Sequence, residues 1–241
     1  MPKNHPRKHS LEERKKIEEG FSRGIVAAAG MIAHGRGETF DYLLGERTNS
    51  EAKRQIEAAA AKLLLAQRPV ISVNGNTTAL CAREIVALAK VIPAQIEINL
   101  FYRTQKRVRL IEKEFRKLGV AVLAGNPDKK VPGLKSKRAL VHGAGIYSAD
   151  VVLVMLEDGD RTEFLRKMGK FVVAVDLNPL SRTARKSNIA IVDNVTRALP
   201  LLAKTIRKFK SKTSKFLQSR ARFDNRGSLR KIENIIRRSA K

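Results

Sequence analysis

Two short apolar runs, at residues 172–175 and 189–192, constrain the fold of this chain more than any other feature. Both runs are rich in valine and isoleucine, and each is followed at once by an acid, Asp176 or Asp193. Short β-branched runs without polar alternation are typical of strands that are buried on both faces, as in a parallel sheet. The chain is therefore expected to form a layered α/β structure.

Similar runs occur earlier in the chain, with amphipathic helical patterns between them. They lie at residues 70–73, 95–99, 120–123 and 151–155. This alternation predicts a doubly wound, Rossmann-like α/β fold, with a mostly parallel sheet and helices on both faces. We expect a ligand-binding domain over residues 1–203, with N-terminal helices over 10–48 packed on it, and a basic helical tail over 204–241.

The N-terminal region carries its own helix signals. Residues 1–9 are polar and predict an irregular arm. Ser10 and Glu13 have the spacing of a capping box, which would begin a helix at Ser10. Ser50 has the position of an N-cap for a second helix with a strong apolar face.

The net charge of +26 is the strongest compositional signal. Residues 200–241 hold 14 Lys or Arg against two acids. Such a surplus indicates an anionic partner, which is a nucleic acid, an anionic membrane or a phosphorylated substrate. The alternative is a solvated basic surface, so for nucleic acid we expect only non-specific contact with the tail.

Cysteine content and hydropathy bound the cellular setting. A single cysteine, Cys81, excludes an intrachain disulfide and fits a reducing cytosol. No run of 18 apolar residues and no signal-peptide core is present. These features predict a cytoplasmic protein with no membrane partner.

Polar residues follow the two runs near residue 180. In open α/β sheets, ligands bind outside the carboxyl ends of the strands. Acids, amides, a hydroxyl and arginines at that edge can hold a ribose and a polyphosphate. The candidates are Asp176, Asn178, Ser181, Arg182, Arg185, Asp193 and Asn194. The alternative is ordinary turn chemistry beside solvated arginines.

Two glycine-containing segments are further candidates. Gly35-Arg36-Gly37, flanked by His34 and Glu38, would let the backbone turn and approach a ligand, or Gly35 would end a helix. Residues 74–78 lead from a strand into a helix, where free amides and the helix dipole favour an anion. The alternative there is simple N-capping by Asn and Thr.

A dense acidic cluster follows the run at residues 151–155. Asp158 and Asp160 could bind Mg²⁺, which takes one or two carboxylates together with phosphate oxygens. They could instead attract an ammonium group, or Asp160 could cap the next helix. The residues alone thus indicate a phosphorylated ligand, such as a nucleotide with Mg²⁺.

Nine motifs occur in an order that resembles the archaeal phosphopantothenate synthetase family, also called 4-phosphopantoate–β-alanine ligases. They are residues 5–7, 30–38, 40–46, 73–76, 98–104, 132–134, 156–162, 176–182 and 192–194. The resemblance covers roughly residues 1–200 and says little about the tail.

The resemblance implies ligation of (R)-4-phosphopantoate with β-alanine to 4-phosphopantothenate, for coenzyme A synthesis. ATP would be split to AMP and diphosphate through an acyl-adenylate, with Mg²⁺ present, and the enzyme would be a homodimer. Its implied ATP contacts are Arg14, Arg36, Asp176, Leu177, Asn178, Ser181, Arg182, Asp193 and Asn194.

The remaining site assignments are hypotheses made within this resemblance. The 4-phosphate of phosphopantoate is assigned to Asn74, Gly75, Asn76 and Thr77, helped by Arg103. The metal or β-alanine end is assigned to Asp158 and Asp160. The expected catalytic residues are Arg36, Asn76, Asp158 and Asp160.

Two other classes of protein are alternatives. A basic nucleic-acid-binding Rossmann-like protein explains the charge, but it does not explain acids and amides at strand ends. A nicotinamide-dependent oxidoreductase is disfavoured because no Gly-x-Gly-x-x-Gly turn is present.

Overall fold

The structure, a computed structural model, describes residues 7–239. His5 and Pro6 of the first family-like motif, with most of the predicted N-terminal arm, lie outside the described residues. Residues 240 and 241 of the predicted tail lie outside them as well.

A five-stranded parallel sheet forms the centre of the molecule. The described strands are β1 (Pro69–Val73), β2 (Gln95–Ile98), β3 (Lys129–Lys130), β4 (Leu140–Val141), β5 (Val151–Met155), β6 (Phe171–Val175) and β7 (Ile189–Ile191). The sheet order is β2-β1-β5-β6-β7, and β3 and β4 form a separate antiparallel pair. The chain leaves β1 toward one edge and later returns to the other side of it, so a topological switch point lies between β1 and β5.

Helices cover both faces of this sheet. The described helices are α1 (Lys8–Ser22), α2 (Ala28–Leu43), α3 (Ser50–Leu64), α4 (Gly75–Val91), α5 (Gln105–Lys117), α6 (Gly159–Lys167), α7 (Arg182–Lys186), α8 (Val195–Phe209), α9 (Ser214–Ala221) and α10 (Asn225–Ser239). The predicted Rossmann-like class, with N-terminal helices and a helical C-terminal region, is confirmed.

Side chains of each strand alternate between two apolar layers. Ile71 of β1 and Leu153 of β5 point into the larger layer, which α3, α4 and α8 complete. Val152 and Val172 point into the opposite layer. Every residue of β1, β5 and β7 is buried, as expected of parallel strands packed on both sides.

The predicted strand at residues 120–123 is wrong in extent. Only Leu123 pairs with β2, donating its N–H to Ile96 and accepting from Ile98, both at 2.9 Å. Ala121 is exposed, and Gly119 at φ +72° has just ended α5. Among the described residues, the segment has no further strand on its outer side, and it forms a single bridge to β2 in place of a continuous ladder of hydrogen bonds.

Two predicted helix starts are also corrected. α1 begins at Lys8, within the predicted arm, and has no side-chain cap; the Ser10 hydroxyl instead donates to the Arg7 carbonyl oxygen at 3.1 Å. Asn49, rather than Ser50, caps α3 by accepting from the Ala52 N–H at 2.8 Å. Glu13 is drawn away from a capping role because it binds residues on α8, described below.

Residues 125–149 fold against the sheet. They supply β3, β4, a 3₁₀ turn at Lys137–Ala139 and a π turn at Gly143–Tyr147. Val131, Val141 and Ile146 from this segment belong to the apolar layer of Val152. The segment thus takes the place of a helix on this face.

The C-terminal helices are docked rather than free. Leu217 of α9 joins the main core, and Leu229 and Ile232 of α10 pack with Leu177. The predicted domain boundary at 203/204 falls inside α8. Within residues 7–239, no helix is long and apolar enough to cross a membrane.

Candidate active site

A cavity of about 390 Å³ opens at the carboxyl ends of β1, β5 and β6, beside the switch point. α2 forms its opposite wall. Nine of the residues predicted from the sequence line it: Arg36, Asn76, Asp158, Asp176, Leu177, Asn178, Ser181, Arg182 and Asn194.

The turn after β6 fixes the carboxylate of Asp176. The Ser181 hydroxyl donates to Asp176 Oδ2 at 2.6 Å, and the Asn178 N–H donates to Oδ1 at 2.9 Å. Ser181 Oγ also accepts from the Ala184 N–H and so caps α7. Burial raises the pKa of Asp176, although these hydrogen bonds oppose it. Each oxygen keeps a free lone pair, so the carboxylate can still accept hydrogen bonds from the hydroxyl groups of a sugar.

The chain leaves β5 through a strained residue. Leu156 has φ +51°, in the left-handed region that branched and bulky side chains rarely adopt. The Asn74 amide holds this turn by donating to the carbonyl oxygens of Met155 at 2.9 Å and Leu156 at 3.2 Å. Asn74 is itself buried and does not line the cavity; it acts as the N-cap of α4.

Two arginines hold Glu157, the next residue, from behind the cavity. Its carboxylate is bound by Arg138, with Nη1 2.8 Å from Oε1, and by the fully buried Arg161. The side chain of Glu157 is only 2% exposed. Both oxygens of this carboxylate are therefore occupied by arginines, and the residue anchors the end of the strand.

The two acids assigned to Mg²⁺ do not converge. Asp158 lines the cavity and is paired with Arg138 at 2.7 Å, while burial raises its pKa. Asp160 does not line the cavity; its Oδ1 accepts from the N–H of Arg161 at 2.7 Å. Within residues 7–239, no group of three Asp, Glu, His or Cys could hold a metal ion. These residues do not fit a dedicated metal site.

The N-terminus of α4 meets the cavity through Asn76. Asn76 Nδ2 donates to the Gly30 carbonyl oxygen at 2.8 Å and so ties α4 to α2. Of the four residues assigned to the 4-phosphate at this turn, only Asn76 lines the cavity. The Thr77 N–H is taken by Asn74 Oδ1 at 3.1 Å.

Arg103 lies apart from the cavity. Its guanidinium donates to the carbonyl oxygens of Ile98 at 3.2 Å and Ala124 at 2.6 Å. Arg107 lies closer to the turn, since a Cβ on Gly75 would be 2.9 Å from its Nη2. The sequence assigned Arg103 to this turn, whereas the arginine that meets the start of α4 is Arg107 on α5.

The Gly35-Arg36-Gly37 segment lies inside α2, and this helix runs unbroken to Leu43. Both predictions for it, a sharp turn and a helix end at Gly35, are wrong. Glycine disfavours a helix by only about 1 kcal/mol, so contacts at both ends of α2 override two of them. A Cβ on Gly37 would lie 3.6 Å from Cδ1 of Leu177, an ordinary van der Waals contact, so packing at this position does not require glycine.

Arg14 binds Glu38 in a bidentate pair, with Nη2 2.8 Å from Oε1 and Nε 2.8 Å from Oε2. Tyr42 donates a short hydrogen bond to the same carboxylate. Burial alone would raise the pKa of Glu38, but Arg14 and Tyr42 lower it below its usual value. Arg14 does not line the cavity, so it meets the site through Glu38.

A polar network behind Asn194 joins the N-terminal helices to the sheet. Asn194 Nδ2 donates to Glu13 Oε2 and Asp41 Oδ2, each at 3.0 Å. Arg197 links Asp41 to Asp193, and Asp193 does not line the cavity. These contacts keep α1 and α2 against the carboxyl edge of the sheet.

Sequence reasoning missed the parts of Glu13, Arg138 and Arg197. Glu13 is 181 residues from its partner Asn194, and Arg138 is 19 residues from Glu157. No local pattern reports such pairs. The sequence did indicate that Glu13 and Glu38 lie on helices that precede the sheet, but it did not indicate their partners.

Comparison with known families identifies one that covers most of the chain. The family described as phosphopantothenate/pantothenate synthetase matches residues 51–239, which includes α8 to α10. The match thus extends beyond the region of the sequence motifs, which reached roughly residue 200.

Archaeal proteins named 4-phosphopantoate–β-alanine ligase are similar to most of the chain. The protein of Thermococcus kodakarensis is 58% identical over 212 residues, 87% of this chain and 81% of its own length. That of Methanosarcina mazei is 49% identical over 231 residues, 95% of this chain and 91% of its own. By these matches, the chain belongs to the phosphopantothenate/pantothenate synthetase family.

Proposed function

We propose that this protein joins 4-phosphopantoate to β-alanine and splits ATP to AMP and diphosphate. Membership of the family makes it a carbon–nitrogen ligase. The observation that carries the specific proposal is the meeting of nine predicted residues in one cavity at the strand ends.

ATP would occupy the side of the cavity formed by the turn after β6. Asp176 would accept hydrogen bonds from the ribose hydroxyls, and Asn178 would contact the edge of the adenine base. Arg36 and Arg182, at the cavity mouth, would screen the triphosphate. Arg182 donates to Glu163 at 2.8 Å, an exposed pair that exchanges readily for a phosphate. Arg14 and Asp193, which were predicted to contact ATP, do not line the cavity. Arg14 would act by holding Glu38, and Asp193 by holding Arg197.

Phosphopantoate would lie toward α4. Asn76 is the residue of that turn that lines the cavity, and the positive end of the helix dipole favours an anion there. Arg107, beside Gly75, would be the cation nearest to this turn; its guanidinium donates to the carbonyl oxygens of Tyr102 and Ile25 and does not line the cavity. Arg103 would support the loop that leads into α5, the helix that carries Arg107.

The carboxylate of pantoate must be activated before an amine can attack it, because oxide is a poor leaving group. The pantoate carboxylate would attack the α-phosphorus of ATP, releasing diphosphate and forming an acyl-adenylate. The β-alanine amine would then displace AMP from the acyl carbon. Such a reaction needs alignment of two anions, screening of their charge and exclusion of water. Arg36 and Arg182, the arginines that line the cavity, are suited to screening that charge.

Mg²⁺, which the resemblance also implies, would have to be carried in on the phosphates of ATP. Asp158 is the predicted ligand nearest to them, and it would first have to leave Arg138.

An end-point assay tests the proposal. Purified protein, ATP, Mg²⁺, 4-phosphopantoate and β-alanine are incubated, and nucleotides are separated by chromatography. We expect AMP and diphosphate only when both organic substrates are present. ADP would replace the adenylate with an acyl phosphate, and no turnover by folded protein would refute the ligase.

A further inference from the structure

The proposed ligation needs a base, since β-alanine enters with a protonated amine that has no lone pair for attack. We propose that His34 on α2 takes this proton. The inference rests on the proposed function and identifies a catalytic residue for its second half-reaction.

His34 lines the cavity and carries a buried ring nitrogen, Nε2, that has no hydrogen-bond partner within the described residues. Polar atoms buried without a partner are rare in folded proteins and frequently mark a catalytic role or a missing ligand. A substrate ammonium would supply the missing donor.

The acids of the cavity are poorer candidates because each is already bound. Glu38 is held by Arg14 and Tyr42, and Glu157 by Arg138 and Arg161. Asp158 is paired with Arg138. Two others accept side-chain donors: Glu13 from Asn194 and Thr196, and Asp176 from Ser181.

The charges around His34 suit a proton acceptor. Desolvation lowers its pKa below the usual value, so the ring is neutral at pH 7 and can accept a proton. Glu13 from α1 and Glu38 from α2 face it and would stabilise the imidazolium, while Arg14 from α1 opposes it. α4, which also packs on α2, brings only the uncharged Asn76 and Leu80 to the cavity.

The step balances as follows. One ammonium proton moves to His34 Nε2, and the freed electron pair forms the carbon–nitrogen bond at the acyl carbon. The bond from that carbon to the phosphate oxygen breaks, and AMP leaves with its electron pair. The nitrogen loses its remaining extra proton to water, and the imidazolium returns its proton to solvent after product release.

The test separates the two half-reactions of the full-length enzyme. Adenylate formation is followed by phosphopantoate-dependent exchange of labelled diphosphate into ATP and by trapping with hydroxylamine, an amine already uncharged at neutral pH. Amide formation is followed by β-alanine-dependent release of AMP. The variant is His34→Gln, and the matched control is His142→Gln, whose Nε2 is also buried without a partner but lies outside the cavity.

We expect His34→Gln to keep exchange and hydroxylamine trapping within about twofold, and to lose about 100-fold or more in β-alanine-dependent kcat at pH 7. Raising the pH, which deprotonates β-alanine itself, should restore much of that loss. The His142 variant should match the wild type in all three assays.

A parallel loss of exchange would overturn the proposal, because His34 would then serve the nucleotide. Unchanged β-alanine turnover would overturn it as well. If the wild type shows neither exchange nor trapping but still forms product, the adenylate fails and not the base. In that case the pH rescue of His34→Gln alone decides the role of His34, and its absence refutes it.

Discussion

Arg161 shows how a single buried charge shapes the site. It is fully buried in α6, and its Nη1 binds both Glu157 and Ser72 Oγ, the latter at 3.2 Å. A buried guanidinium needs a carboxylate to offset the lost water. Here Nη1 alone makes these contacts, since Nε and Nη2 have no hydrogen-bond partner within the described residues. Because Glu157 directly follows the strained Leu156, this pair holds the direction in which the chain leaves β5.

Replacing Arg161 with Met should lower the free energy of unfolding by about 3–5 kcal/mol, because Glu157 remains buried with Arg138 alone. Urea unfolding followed by circular dichroism measures this. Arg166→Met, at an exposed position of the same helix, is the matched control and should change stability by about 0.5 kcal/mol or less. Equal effects of the two substitutions would contradict the anchoring role.

Arg14 and Glu38 should behave as one unit in ATP binding. Because Arg14 holds Glu38 in a bidentate pair, Arg14→Gln and Glu38→Gln should each raise the KM for ATP. The double variant should be little worse than either single variant, with a coupling of about 0.5–3 kcal/mol. Strictly additive effects, measured by steady-state kinetics, would show that Arg14 contacts ATP independently.

At the scale of elements, α2 shows where local sequence stops being informative. Its two glycines around Arg36 predicted a turn, yet the helix is held by Asn76 at one end and by Asp41, through Asn194 and Arg197, at the other. The parallel strands were predictable because burial on both faces leaves a pattern in the residues themselves. The continuity of α2 depends on partners far away in the chain, which leave no such pattern.

Two glycines of α2 should respond differently to alanine. At Gly30 a Cβ would collide with Asn76, so Gly30→Ala should displace this cavity residue and raise the KM for phosphopantoate. At Gly35 a Cβ meets nothing within 4 Å, so Gly35→Ala should stabilise the protein by up to about 1 kcal/mol. Thermal unfolding and kinetics of both variants check this. A rise in KM for Gly35→Ala alone would reverse the assignment.

Glu97 of β2 should make stability depend on pH. Its carboxylate is fully buried and accepts from the N–H groups of His142 at 3.1 Å and Ile146 at 2.7 Å, which holds the π turn. Burial raises its pKa from 4.5 to about 7. The folded state therefore binds the proton more tightly than the unfolded state, and stability should fall by about 3 kcal/mol as the pH rises through that interval.

Urea unfolding of the wild type and of Glu97→Gln at pH 5 and pH 8 tests this prediction. Glutamine cannot ionise, so this contribution to the pH dependence should vanish in the variant. Glu112→Gln, on the half-exposed flank of α5, should retain the wild-type slope. An unchanged slope in Glu97→Gln would assign the pH dependence to other groups.

At the scale of the whole molecule, the positive charge is concentrated on the C-terminal helices. Lys204, Lys208 and Lys215 are exposed there, and Arg230 and Arg237 continue the basic surface on α10. The apolar sides of these helices are occupied by the core, so the region is structural as well as basic. Composition could show the charge, but only the packing shows that it belongs to the folded body.

Non-specific binding to duplex DNA should follow from this surface and weaken steeply with salt, since it would depend on release of counterions. Fluorescence anisotropy between 50 and 200 mM salt, using two unrelated sequences, measures it. Neutralising Lys204, Lys208 and Lys215 with Gln should reduce the salt slope and leave ligation unchanged. Sequence-selective binding would favour the nucleic-acid class of function.

The homodimer implied by the resemblance stays a prediction, and α2 offers a contact to test. Ile32 is 70% exposed on this helix. Light scattering should find a dimer that Ile32→Lys weakens. Tyr147→Lys, at another exposed apolar position, should leave the mass unchanged. A wild-type monomer at micromolar concentration would refute the prediction.

α10 packs against the sheet and follows all of the described strands in the chain. The Asn225 side chain accepts from the Ala190 N–H of β7 at 2.8 Å, and Leu229 packs with Leu177 in the cavity wall. On the ribosome, the sheet emerges while α10 is still inside the exit tunnel. The cavity wall therefore lacks its backing until α10 has also emerged, so activity should appear only after this helix has left the tunnel.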